Sequence, residues 1–161
     1  MEHTVYLALG SNMGARSANL KNAISNLTPQ MNLKAKSNVY ETPPWGYADQ
    51  SPFLNQVVKV ETYMEAEPLL LHLKRLETVL GRVPNFQNGP RLIDIDILFF
   101  DDLVLDSPIV QIPHPRLQER AFVLRPLADL APALVHPLLN KSVSTLLANV
   151  NQSNIQIYEG K

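Results

Sequence analysis

The sequence predicts a mixed α/β (α+β) fold, with a mainly antiparallel sheet and helices packed on it. Segments rich in β-branched and aromatic residues alternate with two segments whose apolar residues recur at helical spacing. The chain has 161 residues, which suffices for one domain with a substantial core. Hydrophobic residues make up 45% of it, and cysteine is absent, so we exclude disulfides and zinc–thiolate sites.

The first half of the chain is predicted to form a strand, a helix and two more strands. Residues 4–9 are mostly apolar, as expected of a buried strand, and the glycine-containing segment 10–14 follows as a turn. Residues 20–27 carry apolar side chains at helical spacing. Two further strands are predicted over 34–42 and 55–62, and the first of them ends where two prolines follow.

The clearest predicted helix lies between residues 65 and 81. Its leucines step by four, three and four residues and form one apolar stripe: Leu69, Leu73, Leu76 and Leu80. We expect Pro68 at the first helical position and Gly81 at the C-terminal stop. A strand over 92–100 follows, and it completes the order β-α-β-β-α-β of a ferredoxin-like core.

The remaining segments are predicted to be C-terminal additions to this core. They are a short hairpin joining 104–105 to 109–111, one or two short helices within 117–130 interrupted near Pro126, a helix over 142–150 capped by Ser142, and a strand over 155–158. We expect residues 1–161 to form a single domain.

The charge balance excludes a generally basic nucleic-acid-binding surface. Lys and Arg number 14 and Asp and Glu 15, a formal net charge of -1. No apolar run approaches a membrane span and no leader pattern is evident, so we expect a cytoplasmic monomer with small-molecule partners, no nucleic acid and no membrane. The charge is nevertheless concentrated, because five of the seven aspartates lie between Asp94 and Asp106.

Asp94-Ile95-Asp96 is the first candidate site. Side chains alternate along a strand, so both carboxylates share one face, with Ile93, Ile95, Ile97 and Phe99 on the other. Two carboxylates about 6.6 Å apart along a strand suit a pair of divalent cations, and oxygen ligands favour Mg²⁺. The alternative is a solvated strand face, which like charges on an otherwise apolar strand make less favoured.

Three cationic or donor side chains accompany this pair. Arg91 directly precedes the strand, and its planar fork matches phosphate oxygens. His114 is held between two prolines and Arg120 follows it, so the pair is suited to contacting phosphate. Surface or structural roles remain the alternatives, and they are the interpretation given to the other histidines: His3, His72 and His136.

Aromatic and amide side chains suggest a flat heterocyclic ligand. Trp45, Phe53 and Phe122 are candidates to stack on a ring, and Asn55 to hydrogen-bond its edge. A role in the core is the alternative for each aromatic residue. The segment 10–14 lacks the Gly-Lys-Ser/Thr ending of a phosphate loop, so we interpret it as a strand-to-helix turn beside the site.

Several ordered motifs together resemble the 6-hydroxymethyl-7,8-dihydropterin pyrophosphokinase family over nearly the whole chain. The most specific is Gly89-Pro90-Arg91-Leu92-Ile93-Asp94-Ile95-Asp96-Ile97-Leu98. The others are Leu9-Gly10-Ser11-Asn12, Tyr40-Glu41-Thr42-Pro43-Pro44-Trp45-Gly46, Phe53-Leu54-Asn55, Pro113-His114-Pro115-Arg116 and Arg120-Ala121-Phe122-Val123-Leu124.

The resemblance implies transfer of pyrophosphate from ATP to the pterin hydroxymethyl group, with AMP as the second product. It implies two Mg²⁺ on Asp94 and Asp96, and a catalytic role for Arg82 as well. It further implies ATP contacts by Glu77, Arg91, His114 and Arg120. The pterin contacts that it implies are Thr42, Pro43, Pro44, Trp45, Phe53, Asn55 and Phe122.

One segment departs from the family pattern. Residues 83–88 carry no charge, where the family usually has basic residues and a tryptophan. We therefore expect weaker loop closure and slower turnover, which replacing Asn85 by Lys and Asn88 by Trp should reverse. Two alternatives stay open: a degenerate paralogue that binds ATP or pterin with little turnover, and a two-metal phosphohydrolase using the same carboxylates.

Overall fold

The computed structural model describes residues 1–44, 49–82 and 89–160. The strands are β1 (His3–Ser11), β2 (Met31–Lys36), β3 (Tyr40–Thr42), β4 (Phe53–Thr62), β5 (Asp94–Phe100), β6 (Leu105–Asp106), β7 (Gln111–Ile112) and β8 (Gln156–Ile157). The helices are α1 (Arg16–Ser25), α2 (Ala66–Val79), α3 (Ala121–Leu130) and α4 (Val143–Ala148), with a 3₁₀ turn at Leu117–Glu119. This order confirms the predicted β-α-β-β-α-β core with C-terminal additions. Trp45 and the 83–88 segment lie outside the described residues, so the predictions for them stay predictions.

The main sheet is antiparallel and has the strand order β5-β1-β4-β3-β8, with β2 also paired to β4. The strand predicted over 34–42 is divided into β2 and β3, which follow the same edge of β4. The division lies at Ser37, whose hydroxyl accepts a hydrogen bond from Val57 N at 2.9 Å. This side-chain bond replaces a regular ladder contact, and it separates two strands that sequence patterning joins.

Helices cover both faces of the sheet, and each face has its own apolar cluster. The first cluster joins α1 and α2 to inward residues of β1 and β5, including Leu7, Leu9 and Ile95. The second joins α3 and α4 to the opposite face, including Tyr6 and Leu98. Because strand side chains alternate, the three central strands β1, β4 and β5 contribute to both clusters.

A β-bulge in β5 changes the predicted alternation at its end. Tyr6 pairs with Phe99, whereas the next residue, Leu7, pairs with Ile97. Leu98 is therefore the extra residue, and both Leu98 and Phe99 join the second cluster. The prediction that Phe99 shares the face of Ile97 is wrong, since a bulge shifts the period-two pattern by one residue.

Two prolines lie elsewhere in their helices than predicted. Pro68 is the third residue of α2, not the first, and it is tolerated there because N–H groups of the first turn have no intrahelical acceptor. Pro126 lies inside α3, and the interruption falls at Arg120, between the 3₁₀ turn and α3. Pro126 is buried among apolar residues, and this packing offsets its missing hydrogen bond.

Two histidines have structural partners, as expected. His3 is buried between Asp101 and Glu65, with ring-to-carboxylate distances of 2.7 and 2.8 Å. The Nδ1 atom of the buried His136 accepts hydrogen bonds from two backbone N–H groups. Among the helices that the structure describes, none has the length and apolar character to cross a bilayer.

Candidate active site

An open cavity over the central strands brings together most of the predicted site residues. Of these residues, its lining includes Thr42, Pro43, Phe53, Asn55, Arg91, Asp94, Asp96, His114, Arg120 and Phe122. Pro44 is described but does not line the cavity. Residues from β3, β4, β5 and the start of α3 thus meet at one place, although they are up to 80 positions apart in the sequence.

Strand register sets the spacing between the two ends of the cavity. Gly10 of β1 pairs with Asn55 of β4 on one side and with Asp94 of β5 on the other. With neighbouring strands about 4.8 Å apart, the backbones of Asn55 and Asp94 lie roughly 10 Å apart. A Cβ atom at Gly10 would lie 3.5 Å from Asn55 Oδ1 and 3.7 Å from Phe53 Cδ1. The missing side chain of Gly10 therefore keeps the middle of the cavity open.

The end of the cavity near β3 combines an amide with aromatic rings. Asn55 Nδ2 donates to Thr42 Oγ1 at 2.8 Å, and both side chains are buried, so the amide is held in one orientation. Phe53 and Phe122 contribute rings to the lining. The Arg120 guanidinium lies 5.6 Å from the centre of the Phe122 ring. Arg120 thus connects this end of the cavity to the opposite end, which contains Asp94 and Asp96.

The other end of the cavity contains the carboxylate pair. Asp94 and Asp96 lie on the same face of β5, as their alternation predicts, and their side chains are 34% and 31% exposed. Burial raises the pKa of Asp94 from 3.8 to about 6, and the negative charge of Asp96 adds to this effect. Two carboxylates that repel each other in a partly desolvated cavity gain most from a cation placed between them.

A buried ion-pair network supports this pair from α2. Glu77 is only 2% exposed, and its carboxylate accepts from Arg82 Nη1 at 2.6 Å and from Lys74 Nζ at 3.1 Å. Arg82 Nη1 also lies 3.6 Å from Asp94 Oδ1, and Lys74 Nζ lies 3.3 Å from Asp96 Oδ1. Glu77 does not line this cavity, and its predicted ATP contact stays a prediction.

Asn12 joins the segment before β5 to the loop before β4. Its Oδ1 accepts from Arg91 N at 2.7 Å, and its N donates to Arg91 O at 2.9 Å. Its Nδ2 donates to Gln50 Oε1 at 2.7 Å and to Ser51 O at 3.0 Å. Arg91 Nη1 in turn donates to Gly89 O at 2.7 Å. The position of Arg91 at the cavity thus depends on the turn after β1.

His114 is a neutral side chain at neutral pH. Burial lowers its pKa to about 4, and the charge of Arg120 contributes next. Its Nδ1 accepts from Arg116 N at 3.2 Å, so the hydrogen-bond pattern assigns the ring proton to Nε2. His114 lines the cavity and can therefore donate one hydrogen bond there without adding positive charge.

A second groove adjoins the first cavity. It runs between α2 and the hairpin of β6 and β7, and it is lined in part by Leu70, Lys74, Ile109 and Val110. Asp96 and His114 line both the groove and the cavity. A ligand lying in the groove can thus extend across Asp96 and His114 into the cavity.

The carboxylate pair fits Mg²⁺ that is shared with a phosphate ligand. Over residues 1–44, 49–82 and 89–160, no cluster of three or more His, Cys, Asp or Glu side chains is suited to hold a metal ion. Asp94 and Asp96 therefore supply two oxygen-bearing side chains, and further ligands must come from water or a substrate. Mg²⁺ commonly binds in this way, through one or two carboxylates plus phosphates.

Lys74 was not predicted to have a role at this site, and Gly10 and Asn12 were predicted only as part of a turn beside it. The spacing of Lys74 and Glu77, three residues apart on a helix, predicts an ion pair between them. It does not predict that Lys74 reaches Asp96. Asn12 and Gly10 belong to a segment that we interpreted as a turn, whereas Gly10 lies within β1.

Comparisons with known proteins find similar sequences over most of this chain. A model of the 7,8-dihydro-6-hydroxymethylpterin-pyrophosphokinase (HPPK) family matches residues 6–132. A 2-amino-4-hydroxy-6-hydroxymethyldihydropteridine pyrophosphokinase of Methylorubrum extorquens is 41% identical over 156 residues, which cover 96% of this chain and 98% of that protein. Its counterpart in Aquifex aeolicus is 41% identical over 138 residues, 86% of each chain.

Longer proteins also contain a region similar to this chain. The folic acid synthesis protein FOL1 of Dictyostelium discoideum is 41% identical over 152 residues, which cover 94% of this chain but only 23% of that protein. A crystal structure of Plasmodium falciparum HPPK-DHPS superposes with a TM-score of 0.77 at 18% identity, covering 98% of this chain and 45% of that one. At that identity the superposition supports the fold alone.

Proposed function

The chain belongs to the 7,8-dihydro-6-hydroxymethylpterin pyrophosphokinase family, and from this we propose that it transfers a diphosphoryl group from ATP to 6-hydroxymethyl-7,8-dihydropterin in folate biosynthesis. The hydroxymethyl oxygen forms a bond to the β-phosphorus of ATP and releases its proton to solvent. The bond between that phosphorus and the α–β bridging oxygen breaks, so the products are the pterin diphosphate and AMP.

The observation that carries this proposal is the two-ended cavity. Its amide and aromatic end, around Asn55 and Phe122, suits the edge and faces of a flat pterin. Its charged end, around Asp94 and Asp96, suits a metal-bound phosphate chain. The backbones of Asn55 and Asp94 lie roughly 10 Å apart. This separation gives a pterin bound at Asn55 room to extend its hydroxymethyl arm to phosphates bound at Asp94.

We infer that ATP occupies the second groove and reaches into the cavity. The nucleoside would lie along Leu70 and Val110, and the phosphates would cross at Asp96 and His114, which the two spaces share. This arrangement places the β-phosphorus at the charged end of the cavity, where it faces the hydroxymethyl group of the pterin. It also keeps the adenosine outside the cavity, so that AMP leaves through the groove.

Asp94 and Asp96 would hold Mg²⁺, with two ions expected. The ions would neutralise phosphate charge, which assists transfer through a loose transition state. Arg91 and Arg120 contribute positive charge at the same end, and the Nε2–H of His114 donates one hydrogen bond to a phosphate oxygen. Catalysis by these residues is positioning and charge stabilisation, and no side chain is assigned as a general base.

The pterin end orients the acceptor. The amide of Asn55, held by Thr42, hydrogen-bonds the ring edge, and Phe53 and Phe122 stack on its faces. Backbone groups of 42–45 complete the predicted contacts, of which Trp45 lies outside the described residues. We further propose that residues 1–161 act as one domain, and as a cytoplasmic monomer.

Neither alternative function is favoured by an observation. A two-metal phosphohydrolase needs further protein ligands beside Asp94 and Asp96, and the described residues gather none. The degenerate paralogue was suggested by the uncharged 83–88 segment, which the described residues do not include. The carboxylates, cations and amide at the cavity are those that the proposed transfer uses.

Formation of AMP tests the proposal. Incubation with ATP, Mg²⁺ and hydroxymethyl-dihydropterin should yield AMP only when pterin is present. Asp96→Ala should lower kcat by at least about 100-fold, since loss of a metal ligand removes charge stabilisation of several kcal/mol. The matched control is Asp102→Ala in the exposed turn after β5, which should retain full activity. Phosphate release without pterin, or full activity of Asp96→Ala, would contradict the assignment.

A further inference from the structure

Two charged side chains of α2 hydrogen-bond the backbone of β5 where another strand would otherwise pair. Among the strands that the structure describes, β5 is an edge strand that pairs with β1 alone. On its other side Ile95 N donates to Glu77 Oε2 at 2.6 Å, and Ile95 O accepts from Lys74 Nζ at 2.9 Å. In an antiparallel sheet the N–H and C=O of one residue point to the same side. The Lys74–Glu77 pair therefore replaces an adjacent strand at this residue.

The orientation of Glu77 is strongly constrained. Its side chain is 2% exposed, and a buried carboxylate must be neutralised and fully hydrogen-bonded. One oxygen accepts from Arg82 Nη1 at 2.6 Å, and the other is shared between Ile95 N and Lys74 Nζ. These bonds together fix the orientation of the Glu77 carboxylate, so Ile95 N has an acceptor in a constant position.

The residue bound in this way lies between the two candidate metal ligands. The peptide groups on either side of Ile95 determine the directions in which Asp94 and Asp96 leave the strand. The cations that neutralise Glu77 also approach these carboxylates, at 3.6 Å for Arg82 and 3.3 Å for Lys74. Backbone and side-chain contacts from α2 thus converge on one three-residue segment.

We propose that Lys74 and Glu77 are positioning residues for the diphosphoryl transfer, holding the backbone of β5 so that Asp94 and Asp96 present their carboxylates together to Mg²⁺ and phosphate. This role rests on the proposed function. The role assigned to Glu77 is exerted through Ile95, because Glu77 lines neither the cavity nor the groove. Lys74 lines the groove and contributes both through Ile95 and at Asp96.

The first experiment compares Glu77→Leu with the conservative Glu77→Gln. Hydrogen exchange measured by NMR on the metal-free protein should show the Ile95 amide exchanging at least tenfold faster in Glu77→Leu, because its acceptor is gone. The amide oxygen of Gln can still accept, so Glu77→Gln should recover most of the protection.

Removal of a residue that supports metal ligands typically costs 10- to 100-fold in metal affinity or activity. With Mn²⁺ and α,β-methylene-ATP as probes, we therefore expect at least about tenfold weaker Mn²⁺ binding in Glu77→Leu, with the KM for pterin within about twofold of wild type.

The second experiment exchanges the two charges. Lys74→Glu combined with Glu77→Lys keeps an ion pair on α2 but places a cation against Ile95 N and an anion against Ile95 O. If Lys74 and Glu77 act by positioning β5, the doubly exchanged variant should bind Mn²⁺ more weakly than the wild type, although it keeps an ion pair. The matched control is the same exchange at the Lys34–Glu61 pair, which joins β2 to β4 at 3.5 Å and lines neither space. It should leave Mn²⁺ binding and turnover unchanged.

The outcomes separate the two claims. Wild-type Ile95 exchange and Mn²⁺ affinity in Glu77→Leu, or wild-type Mn²⁺ affinity in the exchanged pair, would overturn the positioning role. Should Glu77→Leu fail to fold, Lys74→Met carries the test, because it leaves the bonds from Glu77 to Ile95 and Arg82 in place. It should also weaken Mn²⁺ binding, and unchanged affinity would refute the role. Absence of AMP from the wild-type enzyme would instead refute the proposed function, while Ile95 exchange and Mn²⁺ binding still decide the positioning role.

Discussion

Replacing Asp94 by Asn should stabilise the metal-free protein while abolishing its activity. Burial and the neighbouring Asp96 raise the pKa of Asp94 from 3.8 to about 6. A raised pKa means that the folded state binds this proton more tightly than the unfolded state. Ionising Asp94 therefore costs stability, which is lost as the pH rises from about 4 through about 6. Asn has nearly the same shape and cannot ionise.

The size of the effect follows from the shift. About two pKa units at 1.36 kcal/mol each correspond to about 3 kcal/mol. The Asp94 side chain is 34% exposed, so solvent screens part of this cost, and we expect a gain of about 1–2 kcal/mol at pH 7.5. The gain should shrink to about a fifth of this value near pH 4, where Asp94 is protonated in the folded state and only about half protonated in the unfolded state of the wild-type chain.

Urea unfolding in EDTA at pH 7.5 and at pH 4 measures this gain. Asp102→Asn in the exposed turn is the matched control, and its midpoint should follow that of the wild type at both pH values. A variant no more stable than wild type at pH 7.5, or a gain at pH 4 as large as that at pH 7.5, would refute the reasoning. Mg²⁺ with α,β-methylene-ATP should stabilise the wild type more than Asp94→Asn, because ligand bound to the folded state adds to its stability.

Two other perturbations address the middle of the cavity and the opposite end of β1. Gly10→Val places methyl groups beside Asn55, so the KM for pterin should rise at least about tenfold, which is about 1.4 kcal/mol, in steady-state assays. His3→Gln removes an imidazole whose pKa is raised by hydrogen bonds to Asp101 and then Glu65. The protonated imidazole therefore stabilises the folded state. This stabilisation is fully present below pH 6.5 and is lost as the pH rises through the raised pKa of His3. Urea midpoints should therefore show a loss of about 1–2 kcal/mol at pH 6 and a smaller one at pH 9.

The controls for these two variants come from the same chain. Gly10→Ala is the matched control and should keep the unfolding midpoint of the wild type, because the new Cβ makes ordinary contacts of 3.5 Å or more. An unchanged KM in Gly10→Val would show that Gly10 does not border the pterin. For His3→Gln, a loss of stability that is equal at pH 6 and pH 9 would exclude the charged imidazole as its source.

Much of the fold follows from local patterns. The leucine stripe of α2, the apolar run of β1 and the alternating side chains of β5 predict elements that the structure contains. The errors occur where a long-range contact competes with a local pattern. The bulge at Leu98 shifts Phe99 to the second cluster, and the bonds of Ser37 to Val57 divide a predicted strand. Packing of Pro126 in α3 likewise outweighs its tendency to end a helix.

For the site, the sequence alone determined which residue types are present and the face that Asp94 and Asp96 share, because side-chain alternation in a strand is a local property. Only the tertiary structure decided that Gly10 separates Asn55 from Asp94 and that Lys74 and Glu77 bind Ile95. Register between strands and packing of a helix on a strand join residues distant in the chain, and no local pattern encodes those distances. The pKa shifts of Asp94 and His114 likewise depend on burial, which exists only once the chain has folded.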